Sequence, residues 1–480
     1  MHVDVIIVGA GLSGIGAAAQ LTTRCPSRRY LVLEARTSLG GTWDLFRYPG
    51  IRSDSDMHTM GYRFRPWTRP ESIARGEDIL DYLRGTAAEY GVLPHIRYRH
   101  RVQEASWSSA ERRWTVTSLV DGQPRVHTCQ YLLLCAGYYR YDQGHRPDFP
   151  DEDCFEGPIV HPQHWPDDLD TTGQRVVVIG SGATAVTLVP ALATTAQHVT
   201  MVQRSPTYVV NRPAVDEVAR WLHRRLPSRV AHRLARAKNS GYAELMYRVA
   251  RRWPDRIKER IVELVAEELD EATAAEHFAP AYDPWEQRLC LSPDGDLFAA
   301  IRRGAASVVT GTIERFTPTG LRMADGTELP ADLIVTATGL ELVVMGEIDV
   351  RVDGRPVDFA ERYTYKGFAF SDVPNFASIF GYVNASWTLR ADLIAKTVCR
   401  LLRHMDATGT EVCTPRLRSS DRGMPSLPFV TGFTPGYMER VQHLFPRQGD
   451  RDPWRNIQSY TRDRWVLGRA RVDDGVMRFT

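Results

Sequence analysis

Cysteine is scarce in this chain: only seven occur among 480 residues. They are scattered, odd in number and without a CxxC spacing, at Cys25, Cys129, Cys135, Cys154, Cys290, Cys399 and Cys413. A structural zinc site needs clustered ligands, and a disulfide framework needs paired cysteines. We therefore expect no metal site and no structural disulfide, and we expect the protein to work in the reducing cytoplasm.

Long hydrophobic runs and an excess of one charge are also missing. No stretch of about 18 apolar residues occurs, so no membrane-spanning helix is expected. The formal net charge of +2 gives no general reason to expect nucleic acid as a partner. The start of the chain has no basic region or cleavage site, so we expect no signal peptide. A composition of 43% hydrophobic and 25% charged residues is typical of globular proteins, here of two or three domains.

The chain opens on a strand–turn–helix–strand pattern. The apolar, β-branched run Val3–Val8 predicts a buried parallel strand. The turn Gly9-Ala10-Gly11-Leu12-Ser13-Gly14 follows, then a helix to about Leu21 and a strand, Tyr30–Leu33, that ends at Glu34. An acidic residue about 20 positions beyond the glycines of such a unit is typical of a dinucleotide-binding domain.

Each of these residue types has a physical role in binding a dinucleotide. Gly9 permits the tight turn, Gly11 lets the backbone approach the pyrophosphate, and Gly14 allows close packing of helix on strand. The helix N-terminus offers free N–H groups to the phosphates. Glu34 can accept hydrogen bonds from ribose hydroxyls, which requires a ribose without a 2′-phosphate. The unit therefore fits FAD or NAD and does not fit NADP.

A second unit of the same kind begins at Arg175–Ile179. The turn Gly180-Ser181-Gly182-Ala183-Thr184-Ala185 follows, then a helix to about Leu192 and the strand His198–Val202. Ala185 stands where the third glycine would be, which is tolerated because only close packing depends on that position.

The end of this second unit carries the opposite charge from the first. The chain reads Gln203-Arg204-Ser205 there and supplies no carboxylate. Arg204 can pair with a 2′-phosphate, and Ser205 can donate a hydrogen bond to it. We predict that this domain binds NADPH through Gly180, Gly182, Thr184, Arg204 and Ser205, and that the first domain binds FAD. Taken alone, Arg204 would fit a surface cation equally well.

Further strands complete an α/β fold of two Rossmann-like dinucleotide-binding domains, for FAD and NADP, with a helical insertion. Antiparallel strands are predicted within His95–Thr128, and strands returning to the first sheet at Tyr131–Cys135 and Asn375–Phe380. Asp332–Thr336 predicts a late strand of the second sheet. The predicted parts are 1–145 (FAD, first part), 146–212 (NADP, first part), 213–282 (helical insertion), 283–345 (NADP, second part) and 346–480 (FAD, second part, with the C-terminal segment).

The predicted insertion has an uneven charge distribution. It is strongly basic up to Arg260 and acidic from Glu263 to Glu276. This pattern favours surface helices with solvated faces. The alternative is a basic amphipathic surface that touches anionic lipid.

Two nucleotide domains in one chain allow a hydride from the nicotinamide to reduce the flavin. The reduced flavin could then pass electrons to a disulfide, a quinone, a protein partner or O2. The absence of a CxxxxC pair argues against a disulfide reductase.

The segment between the two units distinguishes these acceptors. Residues 155–166 read FEGPIVHPQHWP and fit F-x-G-x-x-x-H-x-x-x-W-P at Phe155, Gly157, His161, Trp165 and Pro166. A glycine-rich turn alone is a weak signal, whereas five fixed residue types at these spacings are rare by chance. The segment resembles the fingerprint of the flavin-dependent type I Baeyer–Villiger monooxygenases, which use O2.

Other stretches resemble one subgroup of that family, the ethionamide-activating monooxygenases. The resemblance extends over nearly the whole chain and is weakest across 211–278 and the last sixty or so residues. The stretches that carry it are GGTWD at 40–44, FRYPGIRSD at 46–54, FRPW at 64–67, QRSPTY at 203–208 and WEQRLC at 285–290.

The resemblance implies an NADPH- and O2-dependent reaction on FAD. In the family, O2 adds to the flavin C4a carbon, and the resulting peroxide inserts oxygen beside a carbonyl to give an ester or lactone. Arg288 matches the family's active-site arginine, whose guanidinium stabilises negative charge, and Asp54 matches the carboxylate that orients it. Gly41, Thr42 and Trp43 match positions beside the flavin. No metal is required, since the cofactor does the difficult step.

Each assignment has a plainer alternative. Arg288 could belong to a structural salt bridge, Asp54 could cap a helix, and Trp43 could be a core tryptophan. His161 and Trp165 are expected to couple domain motion to catalysis through packing and hydrogen bonds, ahead of direct proton transfer by His161. One departure from many relatives is Gln287, where they have a lysine that helps to hold the 2′-phosphate. This departure weakens the expected preference for NADPH over NADH without reversing it.

The sequence thus predicts oxygenation of ketones, and of sulfides or thiocarbonyls, as small-molecule substrates. One alternative is a flavin-containing S/N-oxygenase without Baeyer–Villiger activity, although such relatives lack the ending Trp165-Pro166. The other is a flavin-binding electron-transfer or sensor protein that never oxygenates.

Overall fold

The computed structural model describes residues 1–287 and 289–480. Within these ranges the largest sheet, called the first sheet below, has nine strands. They are His2–Val8, Tyr30–Leu33, Ile96–Arg97, Arg101–Ser108, Arg113–Val120, Gln123–Leu134, Asp349–Val352, Arg355–Pro356 and Phe376–Ser378.

The strand His2–Val8 lies inside the parallel part of the first sheet. It pairs in parallel with Tyr30–Leu33 on one side and with Gln123–Leu134 on the other. Its apolar side chains are buried because each face of the sheet carries its own hydrophobic cluster. The predicted strand–turn–helix–strand unit is confirmed, and its helix, Leu12–Arg24, ends three residues later than expected.

One stretch differs from the prediction. Two separate strands were expected around Thr128 and Tyr131, but a single strand, Gln123–Leu134, runs through both. Its first half pairs antiparallel with Arg113–Val120 and its second half pairs parallel with His2–Val8. The first half is exposed and mostly polar, whereas the second half is mostly buried and ends in the apolar run Tyr131–Leu134. Because the exposure of the residues changes in the middle of this strand, the sequence pattern predicted two strands instead of one.

Residues from the C-terminal part of the chain complete the first sheet. Phe376–Ser378 pairs in parallel with Gln123–Leu134, as the sequence predicted. The helix Trp387–Thr408 then packs against Leu12–Arg24, where the Gln20 side-chain amide donates to the Asp392 carbonyl oxygen at 3.0 Å. The first sheet and its helical layer thus combine the N-terminal part of the chain with residues 349–408.

The second sheet is entirely parallel. In spatial order its strands are Ala306–Thr310, His198–Gln203, Arg175–Ile179, Leu333–Thr336 and Ile159–Val160. The helix Ala183–Leu192 packs on it with residues of the insertion to form a separate core. A strand–glycine turn–helix–strand unit recurs here, which confirms the predicted α/β class with two Rossmann-like domains.

The remaining strands of the described residues form separate sheets of two or three strands. They are Tyr139–Gly144 with Leu340–Leu342, Val209–Arg212 with Cys290–Pro293, Ile313–Thr317 with Gly320–Met323 and Glu328–Pro330, Thr364–Tyr365 with Ala369–Phe370, Cys413–Pro415 with Met477–Phe479, and Leu427–Pro428 with Arg447–Gln448. The helices are Leu12–Arg24, Thr42–Leu45, Met57–Met60, Gly76–Glu89, Ala183–Leu192, Glu217–Arg225, Ser228–Arg252, Pro254–Glu268, Glu271–His277, Asp296–Arg302, Trp387–Thr408, Gly436–Glu439 and Tyr460–Val466. Across residues 1–287 and 289–480, no helix combines the length and the apolar character needed to cross a bilayer.

The insertion is helical and is fastened to the first sheet's helical layer through Arg236. This buried guanidinium donates to the carbonyl oxygens of His58, Thr59 and Gly61 at 3.1, 3.0 and 2.6 Å. It also pairs with the buried carboxylate of Asp392 at 3.3 Å. Burial raises the pKa of Asp392, and the Arg236 charge opposes that shift. Removing one partner would leave an uncompensated buried charge, so this pair fixes where the insertion sits.

A buried histidine beside this anchor makes stability depend on pH. The His232 ring is 1% exposed, and its Nε2 lies 3.2 Å from the Tyr62 carbonyl oxygen. Burial lowers the pKa of His232 from 6.5 to about 3, and the Arg236 charge acts in the same direction. The unfolded chain therefore takes up this proton first. The stability that neutral His232 contributes is complete above about pH 6.5 and is lost as the pH falls toward 3.

We expect His232→Gln to reduce this pH dependence. Glutamine can keep a donor toward the Tyr62 carbonyl but cannot be protonated. Between pH 7 and pH 5 the free energy of unfolding should fall by about 2 kcal/mol more in the wild type than in the variant. Urea unfolding of both proteins at the two pH values measures this. Equal losses in the two proteins would contradict the assignment.

Candidate active site

A cavity of about 660 Å³ lies beside the carboxyl end of His2–Val8. Both halves of the chain line it, and so does the start of the helix Ala183–Leu192 from the second sheet. It brings together eight of the residues predicted from the sequence: Gly9, Gly11, Glu34, Gly41, Thr42, Trp43, Asp54 and Thr184.

The first glycine turn is built as its sequence predicts. Gly9 has φ +102°, and a Cβ there would lie 2.5 Å from the Cys135 carbonyl oxygen. Gly14 does not line the cavity; a Cβ at Gly14 would lie 1.8 Å from the Gly9 carbonyl oxygen, so its role is packing. Gly11 is the N-cap of the helix Leu12–Arg24 and provides no side-chain cap. The first N–H groups of the helix therefore remain available to a ligand in the cavity.

Glu34 lies on the cavity wall at the end of the second strand. Its carboxylate accepts hydrogen bonds from the N–H groups of Ala10 at 2.7 Å and Arg36 at 2.8 Å. Burial raises the pKa of Glu34, and these two donors oppose the shift. Each oxygen keeps a further lone pair, so the group can still accept from a ribose hydroxyl.

The segment that follows Glu34 brings the Gly40-Gly41 pair against the first glycine turn. Gly41 has φ +58° and lies so close to Gly11 that a Cβ on it would be 3.0 Å from the Gly11 Cα. The Thr42 hydroxyl lies 3.3 Å from the Tyr141 hydroxyl. Asp44 is buried and pairs with Arg36 at 2.8 Å, which holds the turn in place.

Several aromatic residues of the cavity carry no predicted role. Tyr48, Tyr138, Tyr141 and Trp387 all line it. The Trp387 ring stacks on Tyr138 with centroids 4.9 Å apart, and its Nε1 donates to the Ser13 hydroxyl at 2.9 Å. Tyr48 lies within the segment FRYPGIRSD, so the family resemblance could have identified it as a site residue. Trp387 could not be identified from local sequence, because its contacts are with Ser13 and Tyr138, which lie far away along the chain.

Asp54 lies on the cavity wall, and its carboxylate accepts a hydrogen bond from the Ser55 hydroxyl at 3.2 Å. The alternative that Asp54 caps a helix is wrong, because Asp56 caps Met57–Met60 by accepting from the Thr59 N–H at 3.0 Å. Burial raises the pKa of Tyr48 to about 12, and the Asp54 charge adds to the effect. Arg288, the predicted catalytic cation, lies outside the described residues.

The second glycine turn faces the same region from the other sheet. Gly180 has φ +134°, and a Cβ there would lie 2.3 Å from the Ala337 carbonyl oxygen. Gly182 begins the helix Ala183–Leu192 without a side-chain cap, and a Cβ on it would meet no atom within 4 Å. The first turn of that helix brings Thr184 to the cavity, beside Tyr48.

Arg204 and Ser205 do not line the cavity. Both are exposed at the end of the strand His198–Gln203. The Arg204 guanidinium makes no hydrogen bond or ion pair within residues 1–287 and 289–480. It is therefore open to an anionic ligand outside the cavity, next to the second glycine turn.

The predicted linker segment packs along the second sheet. Phe155 is buried against Phe316, and Gly157 is needed because a Cβ there would lie 2.7 Å from the Asp332 carbonyl oxygen. Trp165 packs against the core of the second sheet, whereas Pro166 is exposed. None of these four residues lines the cavity.

His161 connects the linker segment to Gly339, which follows the strand Leu333–Thr336 of the second sheet. Its Nε2 lies 3.1 Å from the Gly339 carbonyl oxygen, and its Nδ1 accepts from the Gln163 N–H at 3.2 Å. Only the neutral Nε2–H form satisfies both contacts. Burial lowers the pKa of His161, which favours the same neutral form. The geometry therefore suits a structural connection better than proton transfer.

Comparison with known proteins gives the class of this chain. The model of the family described as flavin-binding monooxygenase-like matches residues 68–343, and that of an NAD(P)-binding Rossmann-like domain matches residues 7–69. The family match covers more than half of the chain. The protein belongs to the flavin-binding monooxygenase-like family, and it is a flavin monooxygenase.

The chain is also similar to individual proteins, one by sequence and two by fold. The chain is 52% identical over 480 residues to the FAD-containing monooxygenase EthA of Mycobacterium tuberculosis, covering 100% of this chain and 98% of the relative. Its fold matches OTEMO in complex with FAD and NADP (TM-score 0.75, 21% identity, 100% and 99% of the two chains). It also matches cyclohexanone monooxygenase from Rhodococcus sp. Phi1 bound to NADP+ (TM-score 0.70, 22% identity, 86% of each chain). The resemblance stated from the sequence is confirmed.

Proposed function

We propose that the protein uses NADPH and O2 to insert an oxygen atom next to a carbonyl, converting ketones to esters or lactones. The observation that carries this proposal is the segment Phe155–Pro166, which fits the Baeyer–Villiger pattern at every fixed position. Oxidation of sulfides or thiocarbonyls is the second activity proposed, since a sulfur lone pair can attack the electrophilic form of the same oxygen donor.

The cavity residues fit FAD. The uncapped helix N-terminus at Gly11 would hold the pyrophosphate, and Glu34 would accept hydrogen bonds from the adenosine ribose. The close approach of Gly41 to Gly11 leaves room for backbone and not for side chains beside the phosphates. When bound, FAD supplies the redox and oxygen-activating chemistry, and the protein's part is to bind, orient and exclude water. The side chains that could orient FAD and exclude water line the cavity: Thr42, Trp43 and the stacked pair Tyr138 and Trp387.

The second glycine turn fits NADPH. Gly182 offers an uncapped helix N-terminus with open space above it. Arg204 and Ser205 lie at the end of the neighbouring strand, where a 2′-phosphate is held in this class of domain. Thr184 belongs to the same helix and also lines the flavin cavity, so the nicotinamide half would reach the flavin along this helix end.

Arg288 is proposed as the cation that stabilises negative charge on the substrate's carbonyl oxygen during attack. A guanidinium suits this role because it stays protonated at all relevant pH values. Asp54 is proposed as the positioning residue for it. What supports this is the place of Asp54 on the wall of the cavity that Gly9, Gly11 and Thr184 also line.

A panel of cyclic ketones and aryl sulfides tests the proposed function. Purified holoenzyme with NADPH and O2 should give esters or lactones from ketones, in addition to sulfoxides from sulfides. Sulfoxides without any ester would favour the S/N-oxygenase alternative. NADPH consumption that yields only hydrogen peroxide with every compound would favour a flavin protein that does not oxygenate.

Arg204 should set the preference for NADPH over NADH. A charge-assisted phosphate contact contributes about 1.5–3 kcal/mol, so Arg204→Gln should lower kcat/KM for NADPH about tenfold to a hundredfold. The value for NADH should stay unchanged, because NADH lacks the 2′-phosphate. Stopped-flow flavin reduction with each nucleotide measures both.

The exposed Arg315 of the strand Ile313–Thr317 provides a matched control. Arg315→Gln makes the same change in net charge and should leave both nucleotides unaffected. If the wild-type enzyme uses NADH as efficiently as NADPH, Arg204 does not have the proposed role. The replacement of the family's lysine by Gln287 is a reason to measure both nucleotides with the wild type first.

A further inference from the structure

The long helix of the insertion, Ser228–Arg252, exposes an apolar stripe. Val230, Leu234 and Leu245 are 42%, 47% and 57% exposed. With Ala237 and Gly241 they follow one another at intervals of three or four residues, so they share one face of the helix. At 25 residues the helix is about 37 Å long, and the stripe covers somewhat more than half of it.

This stripe does not belong to a core. The opposite face of the same helix carries the buried residues Ala231, Ala235, Arg236 and Ala250, and it packs against Met57–Met60 through the Arg236 anchor. The preceding helix, Glu217–Arg225, packs beside it and exposes Trp221 at 57% and Val218 at 51%. Large apolar residues at this exposure on two adjacent helices mark an interaction surface.

The same two helices are strongly basic. Residues 217–252 contain ten arginine or lysine residues and two acidic residues. Six arginines have no carboxylate partner in the described parts of the chain: Arg224, Arg225, Arg229, Arg233, Arg251 and Arg252. Arg229 and Arg233 flank the apolar stripe on one side, at the positions just before Val230 and Leu234.

Two tryptophans at this surface lie against unpaired arginines. The Arg225 guanidinium lies 6.0 Å from the Trp221 ring centroid, and that of Arg252 lies 5.6 Å from the Trp253 ring centroid. Tryptophan with adjacent cations is typical of the boundary between lipid headgroups and acyl chains.

We propose that the face formed by helices Glu217–Arg225 and Ser228–Arg252 docks on an anionic lipid membrane. Apolar side chains would enter the headgroup region while the flanking arginines meet lipid phosphates. A second copy of this chain is a poorer occupant, because bringing two such basic faces together costs electrostatic repulsion. The acidic residues of the insertion lie on the following helices, Pro254–Glu268 and Glu271–His277, which pack on the second sheet's core. The inference does not depend on the proposed reaction.

Flotation of the holoenzyme with vesicles tests this. The probe is a vesicle of phosphatidylglycerol and phosphatidylcholine in equal parts, compared with pure phosphatidylcholine, at low and at high salt. The protein should float with the anionic vesicles at low salt and stay behind with neutral ones. High salt should weaken binding, since the arginines are exposed to screening.

Paired variants separate the two contributions. Arg229→Gln with Arg233→Gln should weaken binding to anionic vesicles about tenfold or more, and Leu234→Ser with Leu245→Ser should do so to a similar degree. As controls, Arg125→Gln with Arg355→Gln on the first sheet and Leu93→Ser with Leu444→Ser make the same chemical changes at other exposed positions. Both control pairs should bind like the wild type.

Three results would overturn the proposal. The first is no flotation of the wild type at low salt, and the second is equal loss in the control pairs. The third is a concentration-dependent dimer, seen by sedimentation, that the Leu234 and Leu245 changes abolish while vesicle binding stays absent. That last result would assign the surface to a second copy of the chain.

Discussion

Replacing Arg288 by alanine is expected to lower ester formation about a hundred- to a thousandfold while FAD stays bound. The loss follows from removing the charge that stabilises the oxyanion, for which the loss of one donor typically has an effect of this size. NADPH oxidation should continue and should yield hydrogen peroxide in place of ester. The measurement is the ratio of ester formed to NADPH consumed, with a good ketone at saturating concentration.

Two further variants make that result specific. Arg288→Lys keeps a positive charge but loses the planar fork of donors, so it should fall between the wild type and the alanine variant. Arg315→Ala removes an exposed arginine of the strand Ile313–Thr317 and should leave the ratio unchanged. Ester formation by Arg288→Ala at the wild-type rate would contradict the proposed role of Arg288 as the catalytic cation.

Gly14→Ala is expected to have the second largest effect, on FAD binding. A Cβ at this position would lie 1.8 Å from the Gly9 carbonyl oxygen, so the first turn must move. Overpacking of this kind costs about 1–3 kcal/mol, and the displaced atoms belong to the turn proposed to hold the pyrophosphate. The FAD dissociation constant should therefore rise about tenfold or more, as measured by titrating apoenzyme with FAD.

Gly182→Ala provides the matched comparison at the second turn. The added methyl would meet no protein atom within 4 Å, so the fold should not change. The methyl would instead stand in the space proposed for the NADPH pyrophosphate. The KM for NADPH should rise while FAD affinity stays at the wild-type value. Loss of FAD in this variant, or full FAD binding by Gly14→Ala, would contradict the assignment of one nucleotide to each turn.

Much of the first nucleotide site followed from local sequence. Gly9, Gly11 and Glu34 could be found because a tight turn, a backbone approach and an acidic strand end impose residue types at fixed distances along the chain. The structure brings these residues to one cavity with Gly41, Thr42, Trp43 and Asp54. Their roles toward bound nucleotide remain predictions that the variants above test.

Other parts could not be predicted, because they depend on contacts distant in sequence. Trp387 meets Ser13 and Tyr138 only after the chain has returned to the first sheet. The Arg236–Asp392 pair joins the insertion to a helix more than a hundred residues away. Single residues on an amphipathic helix give no local signal for such partners. The strand Gln123–Leu134 was misread for a related reason, since its two halves have different neighbours.

The oxygen atom of the product offers the most direct test of the central claim. The holoenzyme is given NADPH, a cyclic ketone and isotopically heavy dioxygen, and the product is examined by mass spectrometry. We expect a lactone that carries one heavy oxygen atom, located in the ring and not in the carbonyl group. Absence of lactone, with all the heavy oxygen in hydrogen peroxide or water, would contradict the claim that this flavin monooxygenase inserts oxygen beside a carbonyl.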